Sequence, residues 1–156
     1  MKELDTIYWK YAQKDYIELP LTEIFPWLYL GSINDATRFN GNIVLSIIND
    51  SYYHTEKFKN KKWLVIDIMD SKDVKINEYF DQAFNFLDNN KNEPCIIHCQ
   101  AGINRSATIA LAYYMKTTNT KLLEAYEKLS QLRPGIIYNS GFRKCLVEWA
   151  HENNLL

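Results

Sequence analysis

Short apolar runs alternate with amphipathic segments along this chain. Runs of strand length occur at "WLYLG", "IVLSII", "WLVIDI" and "CIIH", each followed by polar or turn-forming residues. Between them, apolar side chains recur at helical spacing, most clearly in the stripe of Phe80, Ala83, Phe84 and Leu87. Because strands alternate with helices, the pattern predicts an α/β domain with helices on both faces of one sheet.

The remaining helices are predicted from periodicity and from their end signals. Ser32 is expected to cap a short helix, and Asn77 the helix that carries the Phe80 stripe. The polar stretch "NDSYYHTEKFKNKK" is predicted to be a surface loop. Further helices are expected at residues 3–15, 106–115, 121–131 and 141–152.

Composition limits the class of protein. The chain has 156 residues, 47% hydrophobic and 24% charged, which fits one globular domain. A formal net charge of -1 argues against a nucleic-acid partner held by a broad basic face. No apolar run has the length of a membrane span, so no membrane partner is expected. Three cysteines without a signal-like N-terminus indicate a reducing, intracellular setting, and their spacing gives no metal site.

The sequence "IIHCQAGINRSATIALAYYM" places Cys99 and Arg105 between a predicted strand and a predicted helix. A loop that closes on a helix N-terminus directs backbone N–H groups and the positive end of the helix dipole toward one point. Gly102 permits the tight turn, and the planar fork of Arg105 can hold two oxygens of a phosphate. Together these residues predict a cradle for a phosphate dianion.

Cys99 is the candidate nucleophile of this loop. The helix terminus and the guanidinium favour its thiolate, the form that attacks phosphorus. Ser106 follows the arginine, and its hydroxyl is expected to bond the sulfur and ease its departure. His98 precedes the cysteine and is expected to brace the loop rather than to transfer protons. Each residue alone is commonly structural, and the combination is what carries the functional interpretation.

A phosphate ester also needs an acid to protonate the leaving oxygen. Three aspartates precede the helix at residue 80: Asp67, Asp70 and Asp73. Asp67 lies within the apolar run "WLVIDI" and is expected to be partly buried in a strand. Position alone favours Asp70, at the start of the loop, and leaves the other two open.

Several segments resemble the cysteine-dependent dual-specificity protein phosphatases. "HCQAGINRSAT" resembles their signature loop, "IFPWLYLGS" their entry strand, and "MDSKDVKINEYFDQAFNFLD" their acid loop and following helix. That alignment places the acid at Asp70. "LRPGIIYNSGF" resembles the segment before their last helix, where Asn139 takes the place of a bracing asparagine. The asparagine in "GINRS" is similar to that of compact viral members.

The resemblance implies a protein tyrosine phosphatase-like fold, with a mixed central sheet of about four to five strands flanked by helices. It implies no cofactor and a two-step reaction through a cysteinyl-phosphate, with Cys99 as nucleophile, Asp70 as acid and then base, and Arg105 on the phosphate. The phosphate-binding residues are then Gln100, Ala101, Gly102, Ile103, Asn104 and Arg105.

The loop also bears on the substrate. "QAGIN" contains no lysine or arginine, whereas relatives that act on phosphoinositides or RNA 5′-phosphates usually add basic residues for the extra phosphates. A phosphoprotein carrying phosphotyrosine, phosphoserine or phosphothreonine is therefore expected, with phosphoinositide or RNA as the alternative. A phospho-binding pseudophosphatase would have lost Cys99, Arg105 or Asp70. The reaction of a sulfurtransferase would have no role for Arg105 or Asp70.

Residues 1–20 are predicted to be an N-terminal helical extension, and residues 21–156 the catalytic domain. Leu4, Ile7, Tyr8 and Tyr11 would form one apolar stripe, which a short helix must pack against something. Packing on its own domain is the first expectation, and a homodimer formed through residues 1–20 is the alternative. The expected location is intracellular and cytoplasmic, with the virion or host cytoplasm as the setting of a viral member.

Overall fold

The computed structural model describes residues 2–13, 15, 17–50 and 54–156. In this part of the chain one sheet has the strand order β1-β2-β5-β3-β4, with β1 antiparallel to β2 and the other neighbours parallel. The predicted mixed sheet is confirmed. The strands are β1 (Thr22–Phe25), β2 (Leu28–Gly31), β3 (Ile43–Ile47), β4 (Lys62–Ile66) and β5 (Cys95–His98).

Helices cover both faces of this sheet. The larger core lies between the sheet and the helices of one face, and it includes the predicted stripe of Phe80, Ala83, Phe84 and Leu87. A smaller core on the other face joins Ile33 and Phe58 to Val44 and Ile96 of the sheet. The helices are α1 (Lys2–Tyr11), α2 (Ile33–Arg38), α3 (Thr55–Phe58), α4 (Phe80–Asp88), α5 (Arg105–Thr118), α6 (Leu122–Leu132) and α7 (Ser140–Glu152).

Some local predictions need correction. Residues 49–62 are not only a surface loop, because α3 lies within them and buries Phe58 against the sheet. Asn77 does not cap α4; it lies inside a 3-10 turn, Ile76–Tyr79, that leads directly into that helix. The first helix ends at Tyr11 rather than at residue 15. Ser32, by contrast, caps α2 in a reciprocal capping box with Asp35.

The strand β1 is difficult to recognise in the sequence because prolines lie on both sides of it. Pro20 and Pro26 indicate interruptions of regular secondary structure. Both prolines lie outside the strand itself, so no ladder hydrogen bond is lost, and Pro26 falls in the turn to β2. The prolines therefore delimit an edge strand.

Helix α1 packs on its own chain. Leu4 is fully buried, and the side chains of Lys10 and Tyr11 both donate to the carboxylate of Glu127 on α6, at 2.6 Å. Arg143 of α7 donates to Asp5 at 3.0 Å. The apolar stripe and these polar contacts together dock the helix against α6 and α7.

The topology places the end of β5 at the middle of one sheet edge. β5 lies between β2 and β3 and is parallel to both, so their carboxyl ends meet at the same edge. Ligands of open α/β sheets bind in the crevice at such a position. The chain then enters α5, a helix whose residues are mostly buried. Cys99 and Arg105 are therefore held between two rigid elements.

Candidate functional site

The loop from residue 99 to residue 105, called here the cradle loop, is fixed from outside through its carbonyl groups. The Gln100 carbonyl accepts from the Ile33 N–H at 3.0 Å, and the Ile103 carbonyl accepts from the Ile137 N–H at 2.6 Å. The carbonyls of Ala101 and Gly102 accept from one arginine side chain, at 3.2 and 2.7 Å. Four consecutive carbonyls thus face away from the loop centre.

The orientation of these carbonyls determines where the loop's amides point. In a trans peptide the C=O of one residue and the N–H of the next lie on opposite sides of the same plane. No cis peptide occurs in the described residues. The N–H groups of Ala101, Gly102, Ile103 and Asn104 therefore face the interior of the loop. This is a concave array of donors of the kind that binds anions.

Two unusual backbone conformations accompany this curvature. Gly102 has φ +72°, and a Cβ atom there would overlap the backbone of Gly31. Ile137 has φ +59°, a conformation that costs a β-branched residue on the order of 1–3 kcal/mol. Its burial and its hydrogen bond to Ile103 hold it there. The loop is thus bent tightly and supported from the segment before α7.

Cys99 lies at the base of the cradle loop, directly after β5. Its residue is only 3% exposed, and the Ser106 hydroxyl donates to its sulfur at 3.1 Å. The positive end of α5 begins at the same loop. The sulfur therefore has a hydroxyl donor and a helix terminus beside it.

The Arg105 side chain is held at the edge of the loop with part of its donor capacity unused. Its Nη1 donates to the Ile68 carbonyl at 3.1 Å and to the Asn49 side chain at 3.2 Å. Its Nε is buried and has no protein partner among the described residues. Since a buried donor without a partner is costly, this N–H fits a role in holding an anion.

His98 is a neutral bracing residue in this geometry. Burial lowers its pKa to about 4, so the ring is uncharged at neutral pH. Nδ1 contacts the Cys99 carbonyl at 2.9 Å, which makes Nδ1–H the donor and leaves Nε2 to accept from the Ser46 hydroxyl. Ser46 in turn accepts from Trp63 Nε1 at 2.7 Å. The ring's nitrogens are both engaged away from the loop's interior.

Asp70 is the aspartate that the structure brings to the cradle loop. Asn104 Nδ2 donates to one of its carboxylate oxygens at 2.8 Å, and Asn139 Nδ2 donates to the other at 2.9 Å. The Tyr138 hydroxyl lies 3.4 Å from the first oxygen. Asp67 is exposed just beyond β4, not buried in a strand as expected, and Asp73 is exposed further along the loop.

Asn104 and Asn139 join three segments around this carboxylate. Asn104 is 2% exposed, and its side-chain oxygen accepts from the Asn139 backbone N–H at 3.2 Å. Asn139 also caps α7 through the Phe142 N–H at 3.1 Å. Gly141 lets the backbone of Lys72 approach the first turn of α7, where a Cβ would overlap it. The acid loop, the cradle loop and α7 are therefore mutually fixed.

No sequence pattern indicated two of these contacts. Asn104 was predicted only as a backbone amide, yet its side chain links the cradle loop to Asp70. Tyr138 was not singled out, and burial together with the nearby Asp70 charge raises its pKa, which keeps it a neutral donor. Both bonds join residues 34 or more positions apart, so no local pattern reports them.

A cleft of about 520 Å³ opens beside the cradle loop. Tyr138, which contacts Asp70, lies on its lining, whereas Asp70, Cys99 and Arg105 do not. Its other described lining includes Gln100, Ala101 and Ile103 of the loop, and Ile17 and Leu19 of the N-terminal segment. A volume of this size accommodates groups attached to an anion held in the loop. In the described part of the chain, no three potential metal-binding side chains of His, Cys, Asp or Glu cluster together.

Comparison with known proteins gives one consistent family. The model of the dual specificity phosphatase catalytic domain matches residues 28–152. Dual specificity protein phosphatase 1-A of Xenopus laevis is 40% identical over 133 residues, which cover 81% of this chain and 36% of that protein. A probable dual specificity protein phosphatase of Dictyostelium discoideum is 36% identical over 135 residues, covering 83% and 34% of the two chains.

A solved structure agrees with these sequence matches. The crystal structure of DUSP15 is 30% identical, covers 86% of this chain and 91% of its own, and superposes with a TM-score of 0.76. The chain spans about a third of the length of the two curated relatives, 36% and 34%. What these proteins share with the chain is therefore the region that contains the cradle loop.

Proposed function

Since this chain belongs to the family of dual specificity phosphatase catalytic domains, we propose that it is a protein phosphatase for phosphotyrosine and for phosphoserine or phosphothreonine. The observation that carries the proposal is the loop of inward-facing amides with Cys99 at its base and Asp70 tied to its rim. Those parts suit a monoester dianion, whose one ester oxygen must leave with a proton.

The proposed reaction has two steps. The Cys99 thiolate attacks phosphorus, the bond to the ester oxygen breaks, and protonated Asp70 gives that oxygen its proton. Water then attacks the cysteinyl-phosphate, Asp70 takes a proton from it, and the thiolate leaves as inorganic phosphate forms. Arg105 and the loop amides hold the equatorial oxygens in both steps. The Ser106 hydroxyl, 3.1 Å from the sulfur, stabilises the departing thiolate.

A phosphoprotein is the proposed substrate because of what the loop lacks and what lies beside it. Residues 100–104 contain no basic side chain for additional phosphates. The adjoining cleft leaves room for polypeptide around the phosphorylated residue. A phosphoinositide or an RNA 5′-phosphate is the alternative substrate in the same superfamily. A pseudophosphatase is disfavoured because Cys99, Arg105 and Asp70 are all present.

Turnover on a matched set of substrates tests this assignment. We expect the highest kcat/KM on phosphotyrosyl and phosphothreonyl peptides, because the loop offers one cradle and no second basic subsite. A phosphatidylinositol phosphate and a triphosphate-ended RNA are compared at equal concentration. A preference of tenfold or more for either would contradict the protein-phosphatase assignment, and loss of all activities in Cys99→Ser would show that one site is being measured.

We propose further that residues 1–20 form an N-terminal helical extension and residues 21–156 the catalytic domain. No helix in the described residues is long and apolar enough to cross a membrane. The proposed setting is reducing and cytoplasmic, which suits a thiolate nucleophile. No nucleic-acid or membrane partner is proposed. A homodimer that exchanges residues 1–20 is the alternative to the intramolecular packing of α1.

Light scattering on the full chain and on a chain starting at Pro20 distinguishes these arrangements. We expect a monomer in both cases, because the ion pair of Lys10 with Glu127 and the burial of Leu4 are satisfied within one chain. Aryl phosphate turnover is expected to persist after truncation, since Cys99, Arg105 and Asp70 lie beyond residue 20. A full-length dimer that becomes monomeric on truncation would support exchange instead.

A further inference from the structure

A buried arginine outside the cradle loop binds two of the loop's carbonyl groups. No sequence pattern indicated these contacts. Arg133 ends α6 and is 1% exposed. Its Nε donates to the Gly102 carbonyl at 2.7 Å, and its Nη2 to the Ala101 carbonyl at 3.2 Å. Its Nη1 donates to the Pro20 carbonyl at 2.6 Å and to the Thr22 hydroxyl at 3.0 Å. No carboxylate within ion-pair distance of it appears among the described residues.

The guanidinium fixes two peptide planes of the cradle loop. It holds the carbonyls of Ala101 and Gly102 on the outer side, so the N–H groups of Gly102 and Ile103 are held on the inner side. Its fork is planar and rigid, and it binds both carbonyls at once. A lysine has a single nitrogen on a flexible stem and cannot hold both planes in the same way.

The guanidinium also places a positive charge against the cradle loop, at the carbonyls of the second and third residues after Cys99. Burial lowers the pKa of Arg133, and the negative charges of Asp35 and Cys99 oppose that shift. An arginine stays protonated in proteins, so a cation is retained there. A cation held beside the loop favours the anionic form of a nucleophile within it. The other titratable groups of the site are His98, directly before Cys99, Arg105 at the end of the cradle loop, and Asp70 and Tyr138 at its rim.

We propose that Arg133 is a positioning residue of the phosphate site, which aims the Gly102 and Ile103 amides at the bound dianion and adds positive potential at Cys99. The inference rests on the proposed function for the role of the loop. It differs from a purely structural role, in which Arg133 would only tie the segment at Pro20 and Thr22 to the body of the protein.

Alkylation of Cys99 by iodoacetamide, followed by mass spectrometry, measures both effects without turnover. Its pH dependence reports the thiolate, and protection by inorganic phosphate reports binding in the loop. In Arg133→Met we expect the alkylation midpoint to move to higher pH. The phosphate concentration for half protection is expected to rise about tenfold or more, the size expected for lost hydrogen bonds from a charged donor. In Arg133→Lys the phosphate concentration for half protection should still rise, because one nitrogen cannot hold both carbonyls. The alkylation midpoint should move less than in Arg133→Met, because the charge is kept.

Lys61→Met is the matched control. Lys61 is half-buried, and its ammonium also binds two backbone carbonyls, those of Phe39 and Gly41, but it lies just before β4 and contacts no residue of the cradle loop in the described structure. The change should lower the thermal midpoint of unfolding with little change in either alkylation readout. An Arg133→Lys protein that folds and has wild-type phosphate protection overturns the proposal, even if the Met variant does not fold. So does an equal shift in Lys61→Met. A wild type that phosphate does not protect would instead contradict the phosphatase assignment itself.

Discussion

Replacement of Cys99 by serine is expected to lower turnover of an aryl phosphate on the order of 10⁴-fold or more, the scale seen when the nucleophile of a covalent mechanism is removed. A serine hydroxyl at neutral pH is protonated and has no adjacent general base, since both His98 nitrogens are engaged elsewhere. The amides and Arg105 that hold the dianion are unchanged. Binding of phosphate should therefore remain within a few-fold of wild type.

Steady-state kinetics and phosphate binding by calorimetry measure the two quantities separately. Cys145→Ser is the control, because Cys145 is a buried cysteine of α7 whose described hydrogen bond goes to the Val74 carbonyl. It should retain turnover, apart from any loss of stability. Turnover of Cys99→Ser within tenfold of wild type would exclude Cys99 as the required nucleophile, and loss of phosphate binding in the same variant would mean that the loop itself had collapsed.

Replacement of Asp70 by asparagine is expected to lower kcat/KM, which reports formation of the cysteinyl-phosphate, by roughly 10²–10⁴-fold, the contribution of one positioned general acid. The loss should be largest for alkyl esters such as phosphoserine, whose alkoxide is a poor leaving group. It should be smallest for aryl phosphates with acidic phenols, which depart with less protonation. An amide at this position keeps the size of the side chain but cannot supply the proton.

The other two aspartates of the segment serve as controls for this assignment. Asp67→Asn and Asp73→Asn change exposed carboxylates and should leave kcat nearly unchanged for every leaving group. A plot of log kcat/KM against leaving-group pKa is expected to be flat for these variants and steep for Asp70→Asn. The assignment is wrong if the steep dependence appears in either control and not in Asp70→Asn.

The parts of this molecule that local sequence predicts well are those fixed by short-range physics. The Phe80 stripe, the Ser32 cap and the strand before Cys99 depend on spacings of a few residues, and the structure has all of them. The errors arose where a local signal had two interpretations. Asn77 is a common capping residue, but the chain enters α4 through a 3-10 turn instead.

The support around the site could not be predicted because it is made by distant parts of the chain. Arg133 bonds residues 31 and 113 positions away, and in the sequence it stands only before "PG", where it signals the end of a helix. Asn104 reaches Asp70 across 34 positions. Such contacts form only because β1, the acid loop and the segment before α7 meet at one edge of the sheet. No short stretch of the sequence specifies that arrangement.

The most direct test of the covalent mechanism is to look for phosphate on the enzyme. Asp70→Asn, in which loss of the base should slow hydrolysis of the intermediate, is mixed with an aryl phosphate that has an acidic phenol, and the reaction is quenched during the first turnover. Peptide mapping by mass spectrometry then locates any added phosphoryl group. We predict that it lies on Cys99 and is absent from Cys99→Ser combined with Asp70→Asn. A phosphoryl group on another residue, or product formation in the first turnover with no labelled peptide, would contradict the mechanism.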